Sequence, residues 1–208
     1  MAQRQKDEIR ARIITAALNQ FAAQGFQNAT MARIAAEANI ATGNLYHYFR
    51  GKEDLLAAVV PDSFVRELFD LMKRKVRTLD GIDDFRDLPA GSAYQRVSAQ
   101  LLDFSVRNRL RMTILTSGVA GSPLEDVPER VIAFLKSLAL GHFRSVSPGL
   151  KLTRIHREML DLTYRNFIGA TSAILLKFKR EPDARRALEI LIQYHLTGLR
   201  AMFGVLSA

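Results

Sequence analysis

Residues 30–54 read TMARIAAEANIATGNLYHYFRGKED, and this stretch decides the fold. With a helical period it divides into two short helices around a tight corner. Ile34 and Ala38 lie four apart on one face, and Ala35 is small enough to let a crossing helix approach closely. After the corner at Asn39 and Ile40, Leu45 and Phe49 repeat the same spacing. Thr30 and Thr42 stand where N-caps belong, each directly before a helical pattern. Asn39 fills the corner, and asparagine is one of the few non-glycine residues that readily turns left-handed.

Two helices joined this tightly make a helix-turn-helix, whose second helix lies in a DNA major groove. The outward positions of that second helix are Thr42, Gly43, Asn44, Tyr46 and His47. An asparagine amide can read adenine bidentately, and Thr, Tyr and His reach phosphates. Lys52 follows near the start of the next helix, where a cation opposes the local dipole unless an anion sits beside it. Thr30 and Arg33, at the start of the first short helix, complete the set of expected DNA contacts.

The wider run IITAALNQFAAQGFQNATMARIAAEANIATGNLYHYFRGKEDLLAAV resembles the DNA-binding domain of the tetracycline-repressor (TetR) family of bacterial transcriptional regulators. The shared pattern is an A-x-x-x-F helix ending in G-F, then T-M-x-x-I-A-x-x-A, then G-N-L-Y-x-Y-F-x-x-K-E-x-L. So many fixed spacings are specific in a way that a lone short motif is not. Asn39 departs from the glycine common in the family, a change the backbone tolerates. The resemblance covers about a quarter of the chain. It implies an all-α fold of about nine helices, with a helix-turn-helix domain at 1–53 and a helical ligand-binding and dimerisation domain at 54–208.

Composition agrees with that reading. Over 208 residues the net charge is +9, and through Lys52 seven basic residues stand against three acidic ones. A basic face suits a polyanion, although charge alone would equally describe a solvated surface. The absence of cysteine excludes disulfides, thiolate metal sites and thiol catalysis. The polar start of the chain does not read as a signal peptide, so a cytoplasmic protein is expected.

In chain order, residues 1–8 read as a frayed charged arm. Ile13, Ala17 and Phe21 then stripe a helix that Gly25 ends, with Phe26 as its apolar closing contact. Residues 52–79 are helical but interrupted by Pro61, which predicts a kink or restart near Val60. Phe64, Leu68, Leu71 and Met72 follow as an amphipathic stripe. Loops are expected at 80–91 and 121–128, and helices at 92–106, 108–117, 128–143, 152–179 and 182–206. The last helix is apolar nearly all round, through Leu188, Leu191, Ile192, Leu196, Leu199, Met202, Phe203 and Leu206. Charged residues interrupt it, which disfavours a membrane span. A homodimer through the last two helices is expected instead, with Leu191, Leu199 and Met202 in its seam and small Gly169, Ala170 and Ala173 permitting close packing.

The middle of the chain offers candidates for a ligand wall: Phe64, Leu68, Phe104, Met112, Phe134, His142, Tyr164 and Phe167. Each could equally be ordinary core. His142 and His156 could orient a ligand or bind metal, but the four histidines form no metal-ligand spacing. Neither a G-x-S-x-G elbow, a glycine-rich phosphate loop nor clustered carboxylates is present, so neither a catalytic site nor a cofactor is expected. The resulting expectation is a homodimeric regulator, released from a near-palindromic operator by a small apolar or aromatic effector. A constitutive DNA-binding protein and an enzyme on the same scaffold are the alternatives.

Overall fold

A computed structural model describes residues 2–78, 89, 91–146 and 153–204. The expected loop at 80–91 and the end of the last helix at Leu206 fall largely or wholly outside those residues. What is described is all helical: α1 (Ala2–Asn28), α2 (Met31–Glu37), α3 (Thr42–Tyr46), α4 (Lys52–Val59), α5 (Asp62–Arg77), α6 (Ala93–Arg107), α7 (Arg109–Ser117), α8 (Val127–Val146), α9 (Arg154–Lys177) and α10 (Glu181–Gly204).

Ten helices appear because Pro61 causes a full break rather than a kink. Val60 leaves the helical region at φ −125°, ψ 79°, and Pro61 becomes the extended N-cap of α5. The proline has no N–H to continue the ladder, so the chain restarts. The opposite correction applies at the N-terminus. Residues expected to fray are part of α1, which carries Gln3–Asp7 and Arg4–Glu8 side-chain bonds at i,i+4 spacing.

The N-terminal helices pack as their apolar spacing requires. Ile13, Ala17 and Phe21 of α1 are buried with Ile34 and Ala35 of α2, with Leu45 of α3 and with Phe49 just beyond it. Glu37 adds a polar lock, accepting from Asn19 Nδ2 at 2.8 Å and from Gln20 Nε2 at 2.6 Å. The corner is left-handed at Asn39, φ 53°. Thr30 caps α2 by accepting from the Arg33 N–H at 3.2 Å. Thr42 does not cap; Ala41 holds the N-cap position of α3 without a side-chain bond, one residue earlier than expected.

Three junctions tie these helices to the rest. Gly25 turns left-handed at φ 75° inside the span of α1, and the Phe26 N–H then donates to the Gly118 carbonyl at 2.7 Å. Lys52 Nζ donates to the carbonyls of Phe26 and Gln27 at 2.8 and 3.1 Å and sits 4.7 Å from the Phe26 ring centroid. At the α4–α5 break, Arg111 Nε donates to the Val59 carbonyl at 2.7 Å while its guanidinium lies over the Phe64 ring. In the larger part, α9 packs on α7, α8 and α10, and α6 packs on α5 and α10. An Arg185–Asp103 ion pair at 2.5 Å joins α10 to α6.

At Gly118 the neighbouring backbone leaves too little room for a side chain. A Cβ at Gly118 would come within 3.1 Å of the Ile114 Cα and of the Phe21 carbonyl oxygen. Gly118→Ala should therefore destabilise by about 1–3 kcal/mol, as overpacked sites do. Gly141→Ala, in α8 with nothing within 4 Å of its Cβ, should stabilise by roughly 0.5–1 kcal/mol. Thermal melts of the two variants check both signs.

Candidate functional site

Four outward positions of α3 and its C-cap form one exposed surface: Thr42, Gly43, Asn44, Tyr46 and His47 are all exposed, while Leu45 between them is fully buried. Among the described residues, none of these side chains makes a hydrogen bond or ion pair within the protomer. Tyr46 is 53% exposed, although a tyrosine of its size usually finds some cover. Arg33 is exposed as well, whereas the Thr30 hydroxyl is occupied by its cap. Lys52 differs from the rest. Its ammonium sits at the carbonyl end of α1, where the helix dipole favours a cation, so it has a structural role that its sequence position did not reveal.

Most of the residues expected to wall a ligand site lie in or against one continuous core, where their rings form three separate clusters. Phe64 stacks on Phe104 with ring centroids 4.8 Å apart, beneath Arg111. Tyr164 and Phe167 instead flank His195 of α10, edge-on at 5.0 Å and stacked at 4.2 Å. Phe134 packs edge-on against Phe69 at 5.8 Å, Leu68 and Met112 are buried, and His142 is half-buried on α8. His156 serves a cap: its Nδ1 accepts from the Thr153 N–H at 2.9 Å in a capping box.

Three polar residues beside the second cluster were not singled out from the sequence. Lys75 continues the buried stripe of α5 one turn past Met72, and its Nζ lies 5.2 Å from the Tyr94 ring centroid. Burial alone lowers its pKa to about 8, although the residue as a whole is half-buried. Among the described residues no carboxylate pairs with it. Ser98, one turn along α6 from Tyr94, keeps a buried hydroxyl without a hydrogen-bond partner. It lies close enough to the Tyr94 phenol to offset part of the upward push of burial, yet the pair lacks hydrogen-bond geometry. His195 Nε2 is likewise buried and unpartnered, and burial, reinforced by the Lys75 charge, lowers that pKa to about 4. The period of α5 could have exposed Lys75, a lysine where an apolar residue is due.

The outer faces of α9 and α10 form a third surface. Ile155, Met159, Leu162 and Leu176 of α9 and Ile190 and Tyr194 of α10 are large apolar residues left exposed, Ile155 by 71% and Tyr194 by 78%. Gly169 and Ala173 lie along the same helix with their positions open. Leu199, expected in a dimer seam, is instead 6% exposed within the protomer core, and Leu191 and Met202 pack partly against that core. A helix apolar all round has two buried sides, and periodicity cannot say which side faces its own protomer.

An exposed, self-standing second helix behind a fixed left-handed corner defines a helix-turn-helix domain. Residues 13–59 match the family described as bacterial regulatory proteins, tetR family. Over 54 residues the chain is 46% identical to the HTH-type transcriptional regulator SrpR of Pseudomonas putida, covering 26% of this chain and 25% of that protein. Over 90 residues it is 36% identical to the HTH-type transcriptional regulator BetI of Escherichia coli, covering 43% of this chain and 41% of BetI. The matched part thus spans less than half the length of either relative. Among solved structures, similarity extends to the tetR-family transcriptional regulator from Streptomyces coelicolor, at 22% identity over 97% of this chain and 87% of that one, TM-score 0.41. It also extends to the transcriptional regulator FadR from Bacillus subtilis in complex with stearoyl-CoA, at 18% identity over 88% and 97%, TM-score 0.44. Among the described residues no helix is long and apolar enough to cross a membrane.

His195 makes stability depend on acid. Its pKa lies below the ordinary 6.5 in the folded chain, so the unfolded chain takes up a proton first as pH falls. Stability should be fully present above pH 6.5 and be lost toward pH 4, at up to about 1.4 kcal/mol per pH unit. Denaturant melts of wild type and His195→Phe across that window should show the slope and its disappearance.

Proposed function

We propose that this chain is a ligand-responsive transcriptional repressor that binds a near-palindromic operator in the cytoplasm as a homodimer. The observation that carries this reading is the outward face of α3, five exposed positions around one buried leucine. The tetR-family match over residues 13–59 and the two relatives named as transcriptional regulators support it, and they favour a regulator over an enzyme. In this reading Asn44 reads a base edge, and Thr42, Gly43, Tyr46, His47, Arg33 and Thr30 contact the adjoining backbone and bases. Lys52 uses two donors on α1 and offers its third to a phosphate. The DNA-binding domain extends to the break at Val60 and Pro61, because α4 packs on α1 and the expected boundary at 53–54 would divide it.

The exposed apolar face of α9 and α10 is the dimer surface, since water-exposed Ile155, Leu162, Ile190 and Tyr194 would otherwise form an apolar patch of the kind that marks interfaces. A small, largely apolar effector is held among the middle helices. Its signal reaches α4 through the Arg111–Val59 bond and α1 through Phe26–Gly118. Release requires that the effector prefer the form that cannot bind DNA.

Two substitutions separate the roles on DNA. With a tight-binding fragment selected from a random pool, Asn44→Ala should cost roughly 1–3 kcal/mol on that fragment and little on random DNA. Lys52→Ala should weaken both about equally, reduce the salt slope by roughly one per subunit, and lower the melting temperature because two α1 carbonyls lose their donor. Equal losses from Asn44→Ala on both DNAs would remove it from base reading; no loss on either would sink the proposed surface.

The dimer surface has its own test. Ile190→Glu with Tyr194→Glu should give folded monomers by sedimentation, since both positions are exposed in the protomer. Leu199→Glu should instead unfold the chain by burying an unpaired charge. An unchanged dimer in the double variant would place the seam elsewhere.

A further inference from the structure

The least settled part of the interior is the group formed by Lys75 on α5, Ser98 on α6 and His195 on α10. Each brings a hydrogen-bond donor into the protein, and none has its natural partner. Among the described residues no carboxylate pairs with the Lys75 ammonium, which rests 5.2 Å from the Tyr94 ring centroid. The Ser98 hydroxyl and His195 Nε2 are buried and unpartnered. A buried polar group without a partner costs free energy, and a buried charge costs more. The Lys75 charge also disfavours a proton on His195, which places the two within electrostatic reach across α5 and α10.

We infer that these three side chains form the head-group site for the carboxylate of an amphipathic monoanion. An ammonium, an imidazole N–H and a hydroxyl can all donate, and a carboxylate is an acceptor with two oxygens. The group carries one full positive charge, which suits a monoanion better than a phosphate dianion. Apolar residues surround it. Leu71 and Met72 precede Lys75 on α5, Leu199 follows His195 on α10, and the rings of Tyr164 and Phe167 lie against His195. The remainder of the ligand is therefore hydrocarbon or aromatic. This inference rests on the effector reading of the middle helices and narrows it to one chemical class.

The test uses the whole 208-residue chain and matched pairs that differ only in the head group: decanoate with decanol, and 3-phenylpropanoate with 3-phenylpropanol. Calorimetric titration should show a carboxylate bound about ten- to a hundredfold more tightly than its alcohol, the range expected for a charged hydrogen-bonded contact. Lys75→Met should bring that ratio close to one by weakening the acid while leaving the alcohol unchanged. It should also hold or raise the melting temperature of the free protein by removing an uncompensated charge. Should that variant fail to fold, Ser98→Ala must still narrow the ratio. Equal affinity for acid and alcohol, a ratio untouched by these substitutions, or binding of neither member of either pair would overturn the site. DNA release is read separately. An acid that binds through Lys75 without releasing DNA keeps the site and overturns the effector role. A neutral compound that releases DNA independently of Lys75 does the reverse.

Discussion

Gly25 takes a conformation that other residues rarely adopt, and the next N–H reaches the Gly118 carbonyl at 2.7 Å. Both sides of that contact depend on the missing side chains. A Cβ on Gly118 would crowd two backbones at once, and one on Gly25 would require a left-handed non-glycine residue. The carbonyls that this turn leaves open at the end of α1 are taken by the Lys52 ammonium from α4. Three helices from distant parts of the sequence are thus fixed at one point. The positions of α2 and α3 follow, because α2 packs on α1 and α3 on α2, with Ile34, Leu45 and Phe49 buried in the shared core.

The larger part of the chain is built on a different balance. Its helices bury apolar stripes in the usual way, but the stripe of α5 ends on a lysine and α10 places a histidine between two aromatic rings. Burial holds His195 neutral, and neither Nε2 nor the Ser98 hydroxyl has a partner. A core selected for stability alone would fill such positions with leucine or methionine. Their presence makes this interior polar at a cost.

The N-terminal fifty residues were legible because their constraints are local. Fixed spacing located α2 and α3, the asparagine identified the left-handed corner, and Thr30 marked a cap that the structure contains. Thr42 was misread by one position because a threonine before a helix looks the same at N-cap and at N1. Charge pattern suggested a loose arm where i,i+4 pairing extends α1. Contacts between distant segments were not legible. Lys52 looks misplaced at a helix start because the carbonyls that accept its hydrogen bonds lie 26 and 25 residues away in sequence, at Phe26 and Gln27. Leu199 was assigned to the wrong side of α10 for a related reason: hydropathy records that a residue is buried, not against which molecule. The clamp from Arg111 to the α4 terminus carries no sequence signal at all.

The five-residue helix α3 is held to the body by Leu45, with Phe49 buried just beyond it, and among the described residues its other side chains make no hydrogen bond or ion pair within the protomer. At Gly43 even an added Cβ would meet nothing within 4 Å. In the proposed reading, stability and sequence preference are therefore written on different residues of the same short helix. Mutation can explore the outward positions without threatening the fold, while Leu45 and Phe49 are held by packing. On that reading, a lineage carrying this scaffold changes the DNA it prefers in single steps, each passing through a folded protein.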